Sequence, residues 1–381
     1  MKKFGLVGQN IKYSYSKDIH EFLRDYYKIN LTYDLINVEQ LDQRLIDSYD
    51  GLNITTPYKE KVLDLDLKID KTVLNAGCCN TIHQKTAFNY DLEAFLYLLG
   101  VIKCSHIKRC VIIGSGACST MIKNYFEKQG IDVVILSRKY ETEESLIYGD
   151  ALINASLIGQ GIYENDAAIK EHLVIKFKYV IDLNYNPNIN KLIMYAKKNN
   201  ITNINGIYML IYQALKAFSL WNDIEFDISM IDKIKMHLDN IKLIGTCYIG
   251  MPYAGKTTLI NKLGGIDLDD SITNYTQKTI KDIFKDVGEP GFRNIESKVL
   301  SKIIDKKPKY ISLGGGTILN FNNLMLLKNY KIIYLDTPIC ELITRIDSNR
   351  PLISNENDLI KLYEQRDIIY KNFQNSYIYI K

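Results

Sequence analysis

Two glycine-rich stretches of different design carry the plainest chemistry in the chain. GMPYAGKTT, from Gly250 to Thr258, fits the pattern G-x-x-x-x-G-K-[ST]. In such a loop, backbone N–H groups and a helix N-terminus surround phosphates, a lysine reaches the β and γ phosphates, and the next hydroxyl ligates Mg2+. The residues so placed are Gly250, Ala254, Gly255, Lys256, Thr257 and Thr258. IKLIGTCYIG before the loop reads as a strand and TTLINKLG after it as a helix, the context a nucleotide site needs. Asp267 and Asp269 then form a D-L-D pair. Two apart at a strand end, they are expected to point the same way, one serving the metal with Thr257 and the other a substrate hydroxyl.

VIIGSGACS, from Val111 to Ser119, is the second glycine turn. Gly114, Ser115, Gly116 and Ala117 form a G-x-G turn after a strand, without the third glycine of the usual dinucleotide fingerprint. The next strand ends in Ser137, Arg138 and Lys139. A fold that prefers NAD carries an acid there for the ribose 2′-hydroxyl. An acid would repel a 2′-phosphate and Arg138 would bind one, so the turn favours NADP.

These turns need elements to hold them. FGLVG (4–8), LTYDLINV (31–38) and YDGLNIT (49–55) read as strands, and SKDIHEFLRDYY (16–27) has helical spacing. Residues 110–138 read as strand, glycine turn, helix and strand, one βαβ unit with parallel strands. DALINAS (150–156) and YVIDLNY (179–185) are further strands, and GIYMLIYQALKAFSLWN (206–222) is a strong amphipathic helix. The chain turns polar near 223–240, so a boundary is placed near 240. The division expected is a lobe over 1–100 completed by helix 206–240, a second lobe over 101–205, and a separate domain over 241–381.

Composition narrows the class. A length of 381 residues allows two or three domains, and 46% hydrophobic residues supply their cores. A formal charge of +4 with no basic tract gives no nucleic-acid footprint. No apolar run reaches the roughly 18 residues of a membrane span, and MKKFGLVGQN lacks the core of a signal peptide. The seven cysteines form no C-x-x-C pair and the five histidines are scattered, which argues against zinc and for reduced thiols. A cytoplasmic protein with small-molecule partners, and neither a nucleic-acid nor a membrane partner, is expected.

Further motifs follow the phosphate loop in order: GEPGFR (288–293), LGGGTIL (313–319), Arg350-Pro351, and Arg366 with Tyr370. With the loop and D-L-D, this set resembles shikimate kinase over the last 140 or so residues. The resemblance implies that Asp269, Arg293 and Arg366 hold shikimate, with Gly315 and Gly316 at its ring. It implies that Arg350 closes over the transferring phosphoryl group and that Asp267 supports Mg2+ with Thr257. Guanidinium forks suit a small carboxylate polyol. Gln277 stands where that family usually has glycine, and Arg345 is the candidate for the adenine.

The first 240 residues carry a second set: Ser14 and Ser16 in GQNIKYSYSK, NITTPYK (53–59), GCCNT (77–81), NYD (89–91), NAS (154–156), DLNYNP (182–187) and GIYMLIYQA (206–214). In this order they resemble shikimate dehydrogenase. The resemblance implies that Ser14 and Ser16 bind the substrate carboxylate, that Thr55, Asn80 and Gln213 bind ring hydroxyls, and that Tyr185 lies near the substrate. Lys59 and Asp91 would be the catalytic pair. Met209 would pack near the nicotinamide, with Gly206 beside it and Asn154 to Ser156 along the cofactor. Lys17 stands in place of a usual proline, and Tyr90 in place of a usual threonine, where its larger ring would alter hydroxyl contacts.

The expected fold is α/β throughout: a two-lobed dehydrogenase, with an α/β substrate lobe and a Rossmann-like NADP lobe, followed by a P-loop kinase domain with a parallel sheet. The expected cofactors are NADP(H), ATP and Mg2+, and the expected substrates are 3-dehydroshikimate and shikimate. Two rival readings remain: a kinase-like domain that only senses ATP or shikimate, and quinate as the substrate of the first half.

Overall fold

The structure, a computed structural model, describes residues 1–137, 143–241, 243–346, 355–374 and 376–378. Chain contacts divide it into Met1–Ala196 with Ile201–Ile241, and Lys197–Asn200 with Lys242–Lys381.

The first unit contains two sheets. One is built from β1 (Lys2–Gly8), β2 (Leu31–Asn37), β3 (Gly51–Ile54), β4 (Lys68–Ile69), β5 (Thr81–His83) and β6 (Thr86–Phe88), in the order β2-β1-β3-β5-β6-β4. β1 runs parallel to β2 and β3, and β5 runs antiparallel to β3 and β6. Side chains alternate along a strand. Phe4 and Leu6 therefore enter one core with Ile19, Leu23, Phe218 and Ile234 from helices, while Val7 enters another with Leu52, Ile54 and Val62. Trp221 pins the first core: its ring stacks on Phe4 at 4.6 Å and its Nε1–H donates to the Ile82 carbonyl at 3.1 Å.

The segment expected as one helix over 206–240 is two, Ile207–Asn222 and Met230–Ile241. Asp223 ends the first in the left-handed conformation (φ 53). The polar residues from 223 cover the surface, while Met230, Ile231, Ile234 and Leu238 return to the core at helical spacing.

The second sheet is entirely parallel: β7 (Arg109–Ile113), β8 (Asp132–Leu136), β9 (Ala151–Asn154), β10 (Tyr179–Asp182) and β11 (Thr202–Asn205), in the order β11-β10-β9-β7-β8. Both faces are covered, Cys110 and Ile112 packing to one side and Val111 and Ile113 to the other. The strand order reverses at β7, and open α/β sheets bind ligands beyond the strands' carboxyl ends at such a switch point.

The second unit has one parallel sheet: β12 (Gly245–Ile249), β13 (Ile266–Asp267), β14 (Tyr310–Ser312), β15 (Tyr330–Leu335) and β16 (Ser376–Ile378), in the order β13-β14-β12-β15-β16. The helix Lys256–Leu263 follows central β12 directly, so the phosphate loop sits at the switch point of this sheet too. The long helical stretch Ile280–Ile304 is broken at Gly288 (φ 69, ψ −179), and Pro290 sits just after the break, where its missing N–H costs nothing.

Candidate active sites

In the first unit a cavity of about 160 Å3 lies against the carboxyl ends of β1, β3, β9 and β10. Its walls hold Ser14, Ser16, Thr55, Lys59, Asn80, Asp91, Tyr185 and Gln213, together with Ser156, Gly206 and Met209.

Lys59 reaches this cavity because β3 ends at Ile54 and the chain turns at once into the short helix Tyr58–Lys61. Thr55 N–H donates to the Val7 carbonyl at 2.9 Å and Cys79 N–H to the Lys59 carbonyl at 2.8 Å, which fixes the turn between two strands' ends. Asp91 opens the helix Asp91–Val101, its N–H donating to Asn89 Oδ1 at 2.8 Å. Lys59 Nζ then lies 2.6 Å from Asp91 Oδ2, with side chains only 12% and 6% exposed. Burial is the strongest single influence and works against the ammonium, but the Asp91 carboxylate and its hydrogen bond, together with the nearby Cys118 and Cys78, outweigh it and hold Lys59 well above the ordinary lysine range. The lysine is therefore a charged proton donor at neutral pH.

Opposite stand three hydroxyls. Ser14 Oγ donates to Ser16 Oγ at 3.0 Å and accepts from Tyr185 Oη at 3.4 Å. Burial raises the Tyr185 phenol, which keeps it a neutral donor. Three hydroxyl donors in a row suit a carboxylate, which only accepts. Asn80 is tied by its Oδ1, which accepts from Thr81 Oγ1 at 2.9 Å and Tyr90 N–H at 3.0 Å, while its buried Nδ2 has no partner among the described residues. Gln213 donates to the Leu210 carbonyl at 3.1 Å and presents the rest of its carboxamide to the cavity.

Tyr90 does not line the cavity. Its ring stacks on Phe88 with centroids 6.2 Å apart and planes 9° apart, so the larger side chain turns away from where hydroxyl contacts were expected. The walls also include Tyr13, Cys118 and Gln160, to which the motifs assign no role. Tyr13 sits beside Ser14 in YSYS and Cys118 within GSGACS, so both stand inside motifs whose chemistry rests on other residues.

The glycine turn adjoins the cavity. Gly114 has φ 120, and a Cβ there would lie 3.0 Å from the Ala155 carbonyl and from Ser119 Oγ. The turn thus runs against the 154–156 loop and leads, past Ser115, into the helix Ala117–Lys128, capped by Gly116 with no side-chain cap bond. First-turn N–H groups left in this way fit a pyrophosphate. Asn154 is fully buried and spends its carboxamide on Ile158 O, Asp182 Oδ1 and the Ser156 N–H and hydroxyl, so it shapes the loop. Ser137 closes the next strand's end, and Arg138 and Lys139 lie outside the described residues.

In the second unit Lys256 Nζ donates to the Gly250 and Met251 carbonyls at 2.9 and 2.8 Å, lying along its own loop. Thr257 Oγ1 donates to Asp267 Oδ2 at 2.8 Å. The two aspartates meet by a different route from the strand pleat expected. Only Asp267 belongs to the strand; it is the N-cap of the helix Leu268–Thr276, accepting from Asp269 N–H at 2.9 Å, and Asp269 stands in the first helical turn.

The triple glycine is where the kinase-like residues converge. A Cβ on Gly316 would collide with the Arg293 guanidinium. A Cβ on Gly315 would lie 2.8 Å from Arg366 Nη1, and one on Gly314 would lie 3.3 Å from Asp269 Oδ1. Tyr370 Oη donates to the Gly315 carbonyl at 2.7 Å, anchoring the turn to the helix Glu356–Phe373 that carries Arg366. Arg293 is clamped by Glu296, 3.1 Å from Nη1 at both oxygens, and by Glu289 at 3.0 Å. Glu296 is fully buried, and burial raises its carboxyl while Arg293 and the Thr317 hydroxyl pull it back. It stands three residues after Arg293 in FRNIE, a helical spacing that would have flagged it.

Arg345 Nη1 donates to the Tyr253 carbonyl of the phosphate loop at 3.2 Å. Ala254 lies buried in that loop, and Thr258 is exposed on the first turn after it. Gln277 holds φ 56 at the end of the helix Leu268–Thr276, a left-handed position that glycine adopts more readily. Arg350 lies outside the described residues.

The known proteins agree with both halves. The NADP(+) shikimate dehydrogenase of Clostridium perfringens (strain 13 / Type A) is 30% identical over 264 residues, covering 61% of this chain and 97% of that protein. This chain belongs to the shikimate dehydrogenase family. The shikimate dehydrogenase substrate binding domain is matched over residues 6–82. The NADP(+) enzyme of Clostridium botulinum (strain Loch Maree / Type A3) is 33% identical over 251 residues, 57% of this chain and 95% of that protein. Among solved structures, shikimate dehydrogenase 1 from Peptoclostridium difficile is 25% identical with a TM-score of 0.57, covering 62% of this chain and 98% of that one. A chorismate mutase/shikimate 5-dehydrogenase fusion protein from Clostridium acetobutylicum gives 27% and 0.56, over 63% and 97%. Residues 253–380 match the shikimate kinase family. The chain thus joins a shikimate dehydrogenase to a shikimate kinase domain, two enzymes of one pathway.

Proposed function

We propose that the first unit reduces 3-dehydroshikimate to shikimate with NADPH and that the second phosphorylates the hydroxyl so made, giving shikimate 3-phosphate. The observation that carries the first step is the buried Lys59–Asp91 pair at 2.6 Å on the wall of a cavity lined by Ser14, Ser16 and Tyr185. NADPH supplies the hydride. A ketone carbon that accepts hydride leaves an alkoxide, which needs a proton and positive charge nearby. Lys59 supplies both at Nζ, and Asp91 orients it. Ser14, Ser16 and Tyr185 take the carboxylate, which turns the ring so that Thr55, Asn80 and Gln213 meet its hydroxyls. Gly114 to Ala117 receive the pyrophosphate, the 154–156 loop flanks the cofactor, Gly206 and Met209 border the nicotinamide, and Ser137, Arg138 and Lys139 take the 2′-phosphate.

For the second step, phosphoryl transfer asks for charge neutralisation and in-line placement rather than covalent chemistry. Lys256, Thr258 and the loop N–H groups hold the ATP phosphates, and Arg345 flanks the adenine. Thr257 Oγ1 and Asp267 Oδ2, 2.8 Å apart beside the loop, are an oxygen pair suited to Mg2+. Arg293 and Arg366 grip the shikimate carboxylate at the glycine turn, Asp269 orients the accepting hydroxyl, and Arg350 neutralises the moving phosphoryl group. The enzyme is proposed to be cytoplasmic; no helix among the described residues is long and apolar enough to cross a membrane.

The test is one assay on the whole chain. With 3-dehydroshikimate and NADPH, shikimate accumulates; with ATP and Mg2+ added, shikimate 3-phosphate replaces it. NADPH oxidation without any phosphate ester, even when shikimate is supplied, would leave the kinase half as a sensor instead.

A further inference from the structure

Lys59 has a second partner that the catalytic pairing does not use. Its Nζ lies 3.5 Å from Cys118 Sγ, and Cys118 also lines the cavity. Among the described residues, Asp91 and Cys118 are the hydrogen-bond partners of this ammonium. They come from different lobes. Asp91 opens a helix that follows the first sheet, whereas Cys118 stands in the first turn of Ala117–Lys128, two residues past Gly116 of the glycine turn.

An ammonium has three N–H bonds. Held by Asp91 alone, it rotates about that single anchor. With Asp91 Oδ2 at 2.6 Å and Cys118 Sγ at 3.5 Å, two N–H bonds are assigned, and the direction of the third follows. We propose that Cys118 is a positioning residue that aims the third Lys59 N–H at the reacting oxygen and ties that aim to the helix expected to receive the cofactor pyrophosphate. This rests on the reductase reading above.

The thiol acts here as an acceptor and not as a nucleophile. Burial pushes Cys118 up, against the pull of Lys59, so it stays protonated and its sulfur lone pair faces the ammonium. The other titratable groups facing Lys59 are Cys78 and Cys79 in the substrate lobe, both raised by burial, and the phenols of Tyr13 and Tyr185 on the cavity wall. Both phenols are raised by burial, so they remain neutral.

The test compares the whole chain with Cys118→Ala and Cys118→Ser, using NADPH and NADPH deuterated at the transferred position. Cys118→Ala is expected to lower kcat about five- to tenfold while both KM values stay within about twofold, since a weak charge-assisted bond is lost and nothing that binds substrate changes. The deuterium isotope effect on kcat should rise, because the chemical step slows. Cys118→Ser should recover most of kcat, since its hydroxyl accepts the same bond. Wild-type kcat in Cys118→Ala would overturn the proposal. So would a serine variant as slow as the alanine one with an unchanged isotope effect, which would reveal a packing role, or a loss confined to the KM for NADPH. A wild-type chain that fails to reduce 3-dehydroshikimate would overturn the reductase reading itself, which keeps the two failures apart.

Discussion

Lys59 and Asp91 show how a reactive group is made from ordinary residues by placement. Nearly buried, the ammonium persists because a carboxylate lies 2.6 Å away. Removing that charge takes away the largest influence opposing burial, and burial lowers a lysine. Asp91→Asn should therefore lower the Lys59 pKa. On the proposed mechanism activity needs the protonated form, so the variant should lose activity at a lower pH than the wild type as pH rises. Measured kcat against pH decides this; the same alkaline behaviour in both proteins would show that Asp91 does not hold the lysine charged. A second prediction at this scale concerns the cofactor. A charge-assisted contact is worth about 1.5–3 kcal/mol, or about 10- to 100-fold in affinity. Arg138→Ala should erode most of the preference for NADPH over NADH, read from kcat/KM for each. Equal use of the two by the wild type would contradict the role given to the 137–139 turn.

Elements decide which of these residues meet. The parallel sheet β11-β10-β9-β7-β8 and the glycine turn after β7 are legible because strand, turn and helix each leave a local pattern, as in CVIIGSGACS. The D-L-D pair is legible as a motif but not as geometry: nothing local distinguishes a strand end from a helix N-cap when the strand has only two residues, Ile266 and Asp267. The orientation of Tyr90 is set by Phe88, a packing contact that spacing does not reveal. Cys118 and Gln160 stay hidden for a similar reason, since tertiary packing brings them to the cavity wall. In the kinase domain the triple glycine is an element defined by close approach. Gly316→Ala would press a methyl group onto the Arg293 guanidinium. Overpacking of this kind costs about 1–3 kcal/mol. The variant should raise the KM for shikimate about tenfold or more, leave the reductase unchanged, and bind ATP as before. An unchanged shikimate KM would mean that Arg293 does not set that site.

At the scale of the whole molecule, the two candidate active sites lie in separate units, each with its own sheets, cores and nucleotide turn. Chains cut near residue 240 should therefore give two soluble pieces, the first reducing 3-dehydroshikimate and the second phosphorylating shikimate. Circular dichroism melts and the two assays check this; two insoluble pieces would show a shared core. The most direct measurement of the central claim is separation of the activities in the intact chain by Lys59→Met and Lys256→Met. In the proposed mechanism each lysine serves charge that develops in one reaction only, and loss of such a group costs several kcal/mol of transition-state stabilisation. With 3-dehydroshikimate, NADPH, ATP and Mg2+, the Lys256→Met chain should make free shikimate and no phosphate ester. The Lys59→Met chain should make neither product until shikimate is added, and then shikimate 3-phosphate at the wild-type rate. Loss of both activities from either single substitution would contradict two independent sites on one chain.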